Sequence, residues 1–365
     1  MRIDNTKKTK RVLGLAAAFA VVLGACGGGD DAAEAPTATD AEEVELTSSD
    51  GGILAAVQER GVLRCGVSGA AVAFSFTEAD GSMNGIDADY CRAVAAAVLG
   101  DATAVEFVPL TAAERFTAIQ TGSIDVLMRN STWTQSRDTD VGMDFGPTTY
   151  FDGQQLMARA ADGFTTSSQV SEIDGAVVCT NAGTTTETNI SELASVLGIK
   201  ITLTTFEDYD QVTDAFLAGT CDVITTDGSG LVGRKSIQEP SKDAWVIFPA
   251  APFSKEPLGP VYAQNDSKWA DVVNWTVYAT FIADEYGVDS DKVSAAAAGD
   301  FGPEMVRLMG GEGELQSVMG LSATAFADVI TQVGNYQQRS HRSNFSTRIW
   351  RRQVSSRKHR CFYFV

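Results

Sequence analysis

The chain carries one plan twice. AIQTGSIDV (118–126) and AFLAGTCDV (215–223) both read as the end of an amphipathic helix, a glycine, two further residues, and then Asp-Val opening an apolar strand. The glycine suits a helix C-terminus, because the left-handed backbone costs it no Cβ clash. Around each copy, short apolar runs alternate with helical patterns. VLRCGV, DADYCRAVAAAVLG, AVEFVPL, AAERFTAIQTG and IDVLM make the first set (62–128), and GAVVCT, TTETNISELASVLG, KITLTTF, DYDQVTDAFLAG, CDVITTD and WVIFP the second (175–249). Such alternation predicts an α/β fold of two lobes, each a mostly parallel sheet flanked by helices. Two stretches without helical periodicity, TTYFDGQQLMARA (148–160) and SKEPLGPVYAQND (254–266), fit a pair of hinge strands crossing between the lobes. Helical patterns at 267–287 and 314–336 should pack back on the first lobe. Lobe 1 is then 53–155 with 257–336, and lobe 2 is 156–256. A ligand belongs between them, at the carboxyl ends of the strands.

The two ends read differently from this body. Five cations precede VLGLAAAFAVVLGA (12–25), an apolar run too short to span a bilayer comfortably, so residues 1–25 read as a signal peptide. The run closes in LGAC, which matches the lipobox of bacterial lipoproteins and makes Cys26 the lipidated new N-terminus, an anchor to the membrane. The small, acidic stretch 26–52 lacks aromatics and reads as a solvated linker. At the far end, residues 337–365 form a basic tail. From Arg339 onward it holds seven Arg, one Lys, no acid and both histidines of a chain whose net charge is −19. An abrupt change of this kind fits a frameshift near Tyr336 and a disordered tail; a nucleic-acid arm is a poor reading in an exported chain.

Setting aside Cys26 and Cys361, four cysteines remain, Cys65, Cys91, Cys179 and Cys221. An exported protein permits two disulfides among them, in three connectivities. Cys65 with Cys91 and Cys179 with Cys221 keep each pair within one lobe; four buried thiols are the alternative. No pair has CxxC spacing, which argues against a metal site, and nothing calls for a cofactor.

The stretch TNAGTTTETN (180–189) follows an apolar run and precedes a helical pattern. Strand, glycine turn and helix N-terminus in that order aim unsatisfied N–H groups and hydroxyls at one place, which favours an anion. No Lys follows the glycine, so it is not a P-loop. Together with LRCGV, GIDADYCRAVAAAVLGD, PLTAAERFTAIQTGSIDVLMRNSTWTQSRDT, DFGPTTYFDGQ, AGTCDVITTDGSGL, KEPLGPV, WTVYA and QVGNY, it makes the chain resemble the polar amino-acid substrate-binding proteins of ABC transporters, near the general L-amino-acid group, over about 53–336.

The resemblance implies a two-lobed periplasmic-binding-protein fold and a monomer that captures L-amino acids and delivers them to permease subunits served by an ATPase. It implies that Arg137 forks onto the ligand's α-carboxylate, that Asp227 accepts the α-ammonium, and that Gly183, Thr184 and Thr185 reach the carboxylate from the other lobe. Plainer roles exist: a surface arginine for Arg137, a helix N-cap for Asp227. Arg129, Asn130 and Thr132 match pocket-lining positions, with Arg129 departing from the usual serine. An aromatic clamp common in the family is replaced by Ala71, leaving Phe74 and Trp133 as candidates for an apolar wall and broad specificity as the expectation. The same fold hosts enzymes, including dehydratases of cyclic carboxylates. Against that reading, residues 26–338 contain no histidine, and only Glu187 or Glu114 would be left as a carboxylate catalyst. A chemoreceptor-docking module remains a further alternative.

Overall fold

The computed structural model describes residues 52–139, 141–238, 244–311 and 315–338. The signal peptide, Cys26, nearly all of the acidic linker and the tail beyond Gln338 lie outside the described residues. Gln338 itself joins the fold, its amide bridging Ser290 and Asn335.

Fourteen strands among the described residues build three sheets. The first holds β1 (Leu63–Val67), β5 (Val105–Pro109), β6 (Val126–Thr132), β7 (Met143–Phe145), β8 (Tyr150–Asp152) and β14 (Glu256–Ala263), in the order β5-β1-β6-β14-β7 with β8 also on β14. A small meander of β2 (Ala70–Ala71), β3 (Ser75–Thr77) and β4 (Met83–Asn84) follows β1. The last contains β9 (Gln154–Arg159), β10 (Val177–Asn181), β11 (Thr202–Phe206), β12 (Val223–Asp227) and β13 (Trp245–Phe248), ordered β11-β10-β12-β9-β13. Both large sheets are mixed, which corrects the mostly parallel expectation. β1 with β5 and β6, and β10 with β11 and β12, are parallel, as helical crossovers require. The crossing strands β14 and β9 insert antiparallel, because they bring the chain in from the other sheet. Only Gly153 separates β8 from β9, and the return runs from Phe248 to Glu256.

Helices cover the sheets. α1 (Gly52–Arg60), α2 (Ile86–Leu99), α8 (Ser267–Glu285) and α12 (Ala325–Gln332) pack together against the first sheet, with α3 (Arg115–Gln120) and α4 (Gln135–Thr139) near its edge. α5 (Thr185–Leu197), α6 (Tyr209–Leu217) and α7 (Gly228–Ile237) serve the second. The C-terminal pattern is more broken than its periodicity suggests: α9 (Val293–Ala298), α10 (Pro303–Leu308) and α11 (Leu315–Val318) are short, and Gly320 at φ 83° separates α11 from α12. α2 starts where Gly85 passes so close to Phe74 that a Cβ would stand 2.3 Å from its carbonyl oxygen. The last described stretch is tied back by Tyr336, whose hydroxyl donates to the Thr149 carbonyl at 2.8 Å.

Both preferred disulfides are present. Cys65–Cys91 staples β1 to α2, and Cys179–Cys221 staples β10 to the turn before β12. Separations of 26 and 42 residues correspond to about 3.5 and 4 kcal/mol each in the chain-entropy account.

Candidate ligand-binding cleft

A cavity of about 250 Å³ opens where the carboxyl ends of β1, β5 and β6 meet those of β10, β11 and β12. Of the expected site residues, it is lined by Arg129, Asn130, Thr132 and Arg137 from the first sheet's side and by Thr184, Thr185 and Asp227 from the second's. Gly183 stands just behind the lining. Its φ of 71° explains the glycine, and its N–H donates to Glu187 Oε2 at 2.8 Å rather than into the cavity.

The three threonines divide their work. Thr184 caps α5, its hydroxyl accepting from the Glu187 amide at 3.1 Å and donating to the Asn181 carbonyl. Thr185 donates to Glu256 Oε2 at 2.9 Å, and Thr186 is buried against Thr180. As the first two residues of the helix, Thr185 and Thr186 have backbone N–H groups with no intrahelical acceptor, and both line the cavity. The helix start therefore offers mainly backbone N–H groups to the cavity, a chemistry suited to an anion, with the hydroxyls holding its shape.

Arg137 faces this turn from the other side. Its guanidinium donates to the Thr132 carbonyl at 2.9 Å and lies over the Phe116 ring, so it is buried and aimed, not a surface arginine. Asp227 ends β12 at the N-cap position of α7, yet its side chain makes no capping bond, and Oδ1 has no hydrogen-bond partner among the described residues. Burial, then the charges of Asp152 and Glu256, push its carboxyl well above the usual range, while Arg137 and Arg115 pull it back. Asn130 sits at φ 34° in β6, close to a register shift in the facing β14, and its N–H donates to Asp87 Oδ2 at 2.7 Å. A non-glycine residue there is a strained position held by its surroundings.

Two expected residues are elsewhere. Phe74 is 2% exposed and meets Tyr150 edge-on, because the β2–β3 turn directs it into the core behind α2. Trp133 is half-exposed and stacks on Phe145. The apolar part of the wall is instead Ala70, Ala71 and Val72, with Pro109 and Leu110. The two carboxylates weighed for catalysis are spent as caps: Glu187 on the Gly183 amide, and Glu114 on the Thr111 amide and hydroxyl at 3.0 and 2.7 Å.

Sequence reasoning missed several residues of the cleft. Arg115, Tyr209 and Arg234 line it, and Glu256 lies beneath it, accepting from Thr132, Thr185, Asn189 and Ser254 at 2.6 to 2.9 Å. Arg115 and Tyr209 open helices directly after strand-end loops, a position that points into a cleft in this architecture; Arg234 and Glu256 carry no such signal.

The sequence matches the bacterial extracellular solute-binding proteins, family 3, over residues 63–279, and the chain belongs to that family. It is 42% identical over 289 residues to the putative amino-acid ABC transporter-binding protein YhdW of Escherichia coli (strain K12), covering 79% of this chain and 83% of that one. With the general L-amino acid-binding periplasmic protein AapJ of Rhizobium johnstonii it shares 41% over 286 residues, covering 78% and 82%. Among solved structures, an ABC transporter periplasmic binding protein from Brucella ovis with glutathione bound superposes with a TM-score of 0.75 at 39% identity, over 80% of this chain and 90% of that one. Membership places the chain among extracellular binding proteins rather than enzymes.

Proposed function

We propose that the protein is the substrate-binding component of an amino-acid ABC transporter, taking free L-amino acids of varied, mainly polar side chains and presenting them to the permease. The carrying observation is the pairing, in one cavity of about 250 Å³, of a buried guanidinium and a helix N-terminus with an unpartnered carboxylate oxygen. Arg137 and the first turn of α5 take the α-carboxylate; Asp227 Oδ1 takes the α-ammonium. The volume is below the roughly 300–1,000 Å³ of drug-sized pockets and suits a single small zwitterion. Because α4 on the first sheet's side supplies Arg137, and the second sheet's side supplies α5 and Asp227, a ligand that touches both favours the closed arrangement, the state a transporter can recognise. The relatives' names, which speak of amino acids and ABC transport, support this reading.

The division into lobe 1 (53–155 and 257–336) and lobe 2 (156–256) belongs to the same proposal. So does attachment of the mature chain to the outer face of the membrane through lipid on Cys26, which metabolic labelling with a fatty-acid analogue would test in the Cys26→Ser variant.

A thermal-shift screen tests the function. Protein stripped of ligand by partial unfolding and refolding is titrated with the common L-amino acids, their D-forms and small dicarboxylates lacking nitrogen. A ligand at 100 times its Kd adds about 2.7 kcal/mol of stability. Several L-amino acids should raise the melting temperature; silence across the L-forms would contradict the proposal.

A further inference from the structure

Asp227 stands at the N-cap position of α7 and does not cap it. Three other helices behave differently: Thr184, Asp208 and Asp266, at the starts of α5, α6 and α8, each accept from a backbone N–H of the helix they precede. Aspartate is among the best residues for that role, so an uncapping Asp227 implies that another group answers the start of α7. That group lies on the first crossing between the sheets. Asp152, the last residue of β8, turns its carboxylate to the helix: Oδ2 accepts from the Ser229 hydroxyl, and Oδ1 accepts from the Gly153 N–H at 2.9 Å and faces the Ser229 N–H at 3.4 Å. The Gly153 carbonyl accepts from the Gly228 N–H at 2.9 Å. The first two N–H groups of α7 therefore meet residues 152 and 153, and a carboxylate sits where the helix dipole favours one. Gly228 permits the approach, since a Cβ there would stand 2.3 Å from Gln155 Oε1 and 3.3 Å from the Gly153 carbonyl oxygen.

We infer that Asp152 is a positioning residue for ligand binding: it caps α7 in place of Asp227, which leaves the Asp227 carboxylate free for the ligand's α-ammonium and ties its setting to the chain crossing at Gly153. The inference rests on the amino-acid reading above and goes beyond it, because Asp152 is not among the residues that line the cavity. Without this cap, Asp227 is the side chain best placed to take over, being already at the N-cap. The helix start and the ligand would then compete for one carboxylate.

Asp152 also acts through its charge. After burial, it is the largest cause that lifts the Asp227 carboxyl above its usual range, ahead of Glu256, with Arg137 and Arg115 opposing. Asp152 is itself pushed up to about 6 by burial, against the bonds from Ser229 and Gly153 that pull it down, and Glu256, its direct cross-strand partner on β14, raises it further. Tyr150 on β8 and Tyr209 on α6 complete the charged and titratable surroundings, and burial pushes both hydroxyls further up from their ordinary range. Removing the Asp152 charge therefore lowers the proton affinity of Asp227.

The test is calorimetry of L-glutamine, a probe without an ionisable side chain, on the stripped protein and its variants. Asp152→Asn keeps an acceptor for the start of α7 and removes the charge. The acid limb of binding should move to lower pH, so between about pH 7 and about pH 5 this variant should lose several-fold less affinity than wild type. Asp152→Ala removes the cap as well and should weaken binding about tenfold, the scale of one helix cap. In the Asp227→Asn background that loss should largely vanish, because Asp152 acts through the carboxylate that is then gone. Ser229→Ala, which cuts the hydroxyl bond alone, takes the place of Asp152→Ala in this cycle if the latter does not fold. A merely structural aspartate would leave the acid limb where it is and cost the same affinity in both backgrounds; either result overturns the inference while leaving amino-acid binding intact. Failure of L-glutamine to bind wild type would instead contradict the amino-acid reading, and the inference with it.

Discussion

At the scale of single residues, Asp227 stands at a helix-cap position without capping, and the proposed function makes it the group that takes the α-ammonium. Its carboxyl is held well above its usual range by burial and by Asp152 and Glu256. A docked ammonium would favour the ionised form, so wherever the free carboxyl carries a proton, binding would release it. Binding that releases a proton strengthens as pH rises and levels off above the raised pKa of the free protein. Calorimetry in buffers of different ionisation enthalpy should therefore register net proton release on the acid side of that limit. Asp227→Asn should remove that component and weaken amino acids far more than des-amino analogues. Proton uptake, or equal losses for the two ligand types, would return Asp227 to a structural role. Asp87 and Asp152, raised by burial to about 7 and about 6, titrate nearby, which is why the variant is needed to isolate Asp227.

At the scale of elements, the start of α5 is positioned by a side chain on a crossing strand. Glu256 on β14 gathers Thr132 and Thr185 on one oxygen and Asn189 and Ser254 on the other. Glu256→Gln would set an NH2 against two of those four donors. Leaving buried donors unpaired costs about 1–3 kcal/mol, so the melting temperature should fall and amino-acid affinity drop with it. Hydrogen exchange in the first turn of α5 should speed up in the variant; unchanged exchange and affinity would mean that the helix start is held by its own cap. Much at this scale was legible in the sequence. Period-2 and period-3.6 patterns expose strands and helices, and the glycine-threonine turn announces a helix N-terminus. The antiparallel insertion of β9 and β14 was not legible, because a strand's partner is a tertiary fact that its own residues do not record. Nor was Phe74's inward turn, since an aromatic in a loop reads alike whether it faces ligand or core. Arg115 and Glu256 stayed hidden for a related reason: a lone charged residue looks solvated until the fold buries it.

At the scale of the whole molecule, several connections between the two sheets' sides are side chains at the cleft. Arg234 of α7 donates to the Ala70 carbonyl at 2.6 Å, Arg115 reaches the Gly183 carbonyl, and the Thr132 and Thr185 hydroxyls stand 3.4 Å apart. The chain crosses between the sheets at Gly153 and again between Phe248 and Glu256, and in the proposed two-lobe reading such contacts would bias a hinge at those crossings. On the proposed function, a ligand engaging Arg137 on one side and α5 on the other would add to these contacts and couple capture to closure. The most direct check is calorimetry of one stabilising L-amino acid against wild type and Arg137→Ala, with circular dichroism to establish that the variant folds. Loss of the buried charge-assisted clamp should weaken binding about a hundredfold or more in a natively folded protein. Near wild-type affinity in that variant would contradict the account.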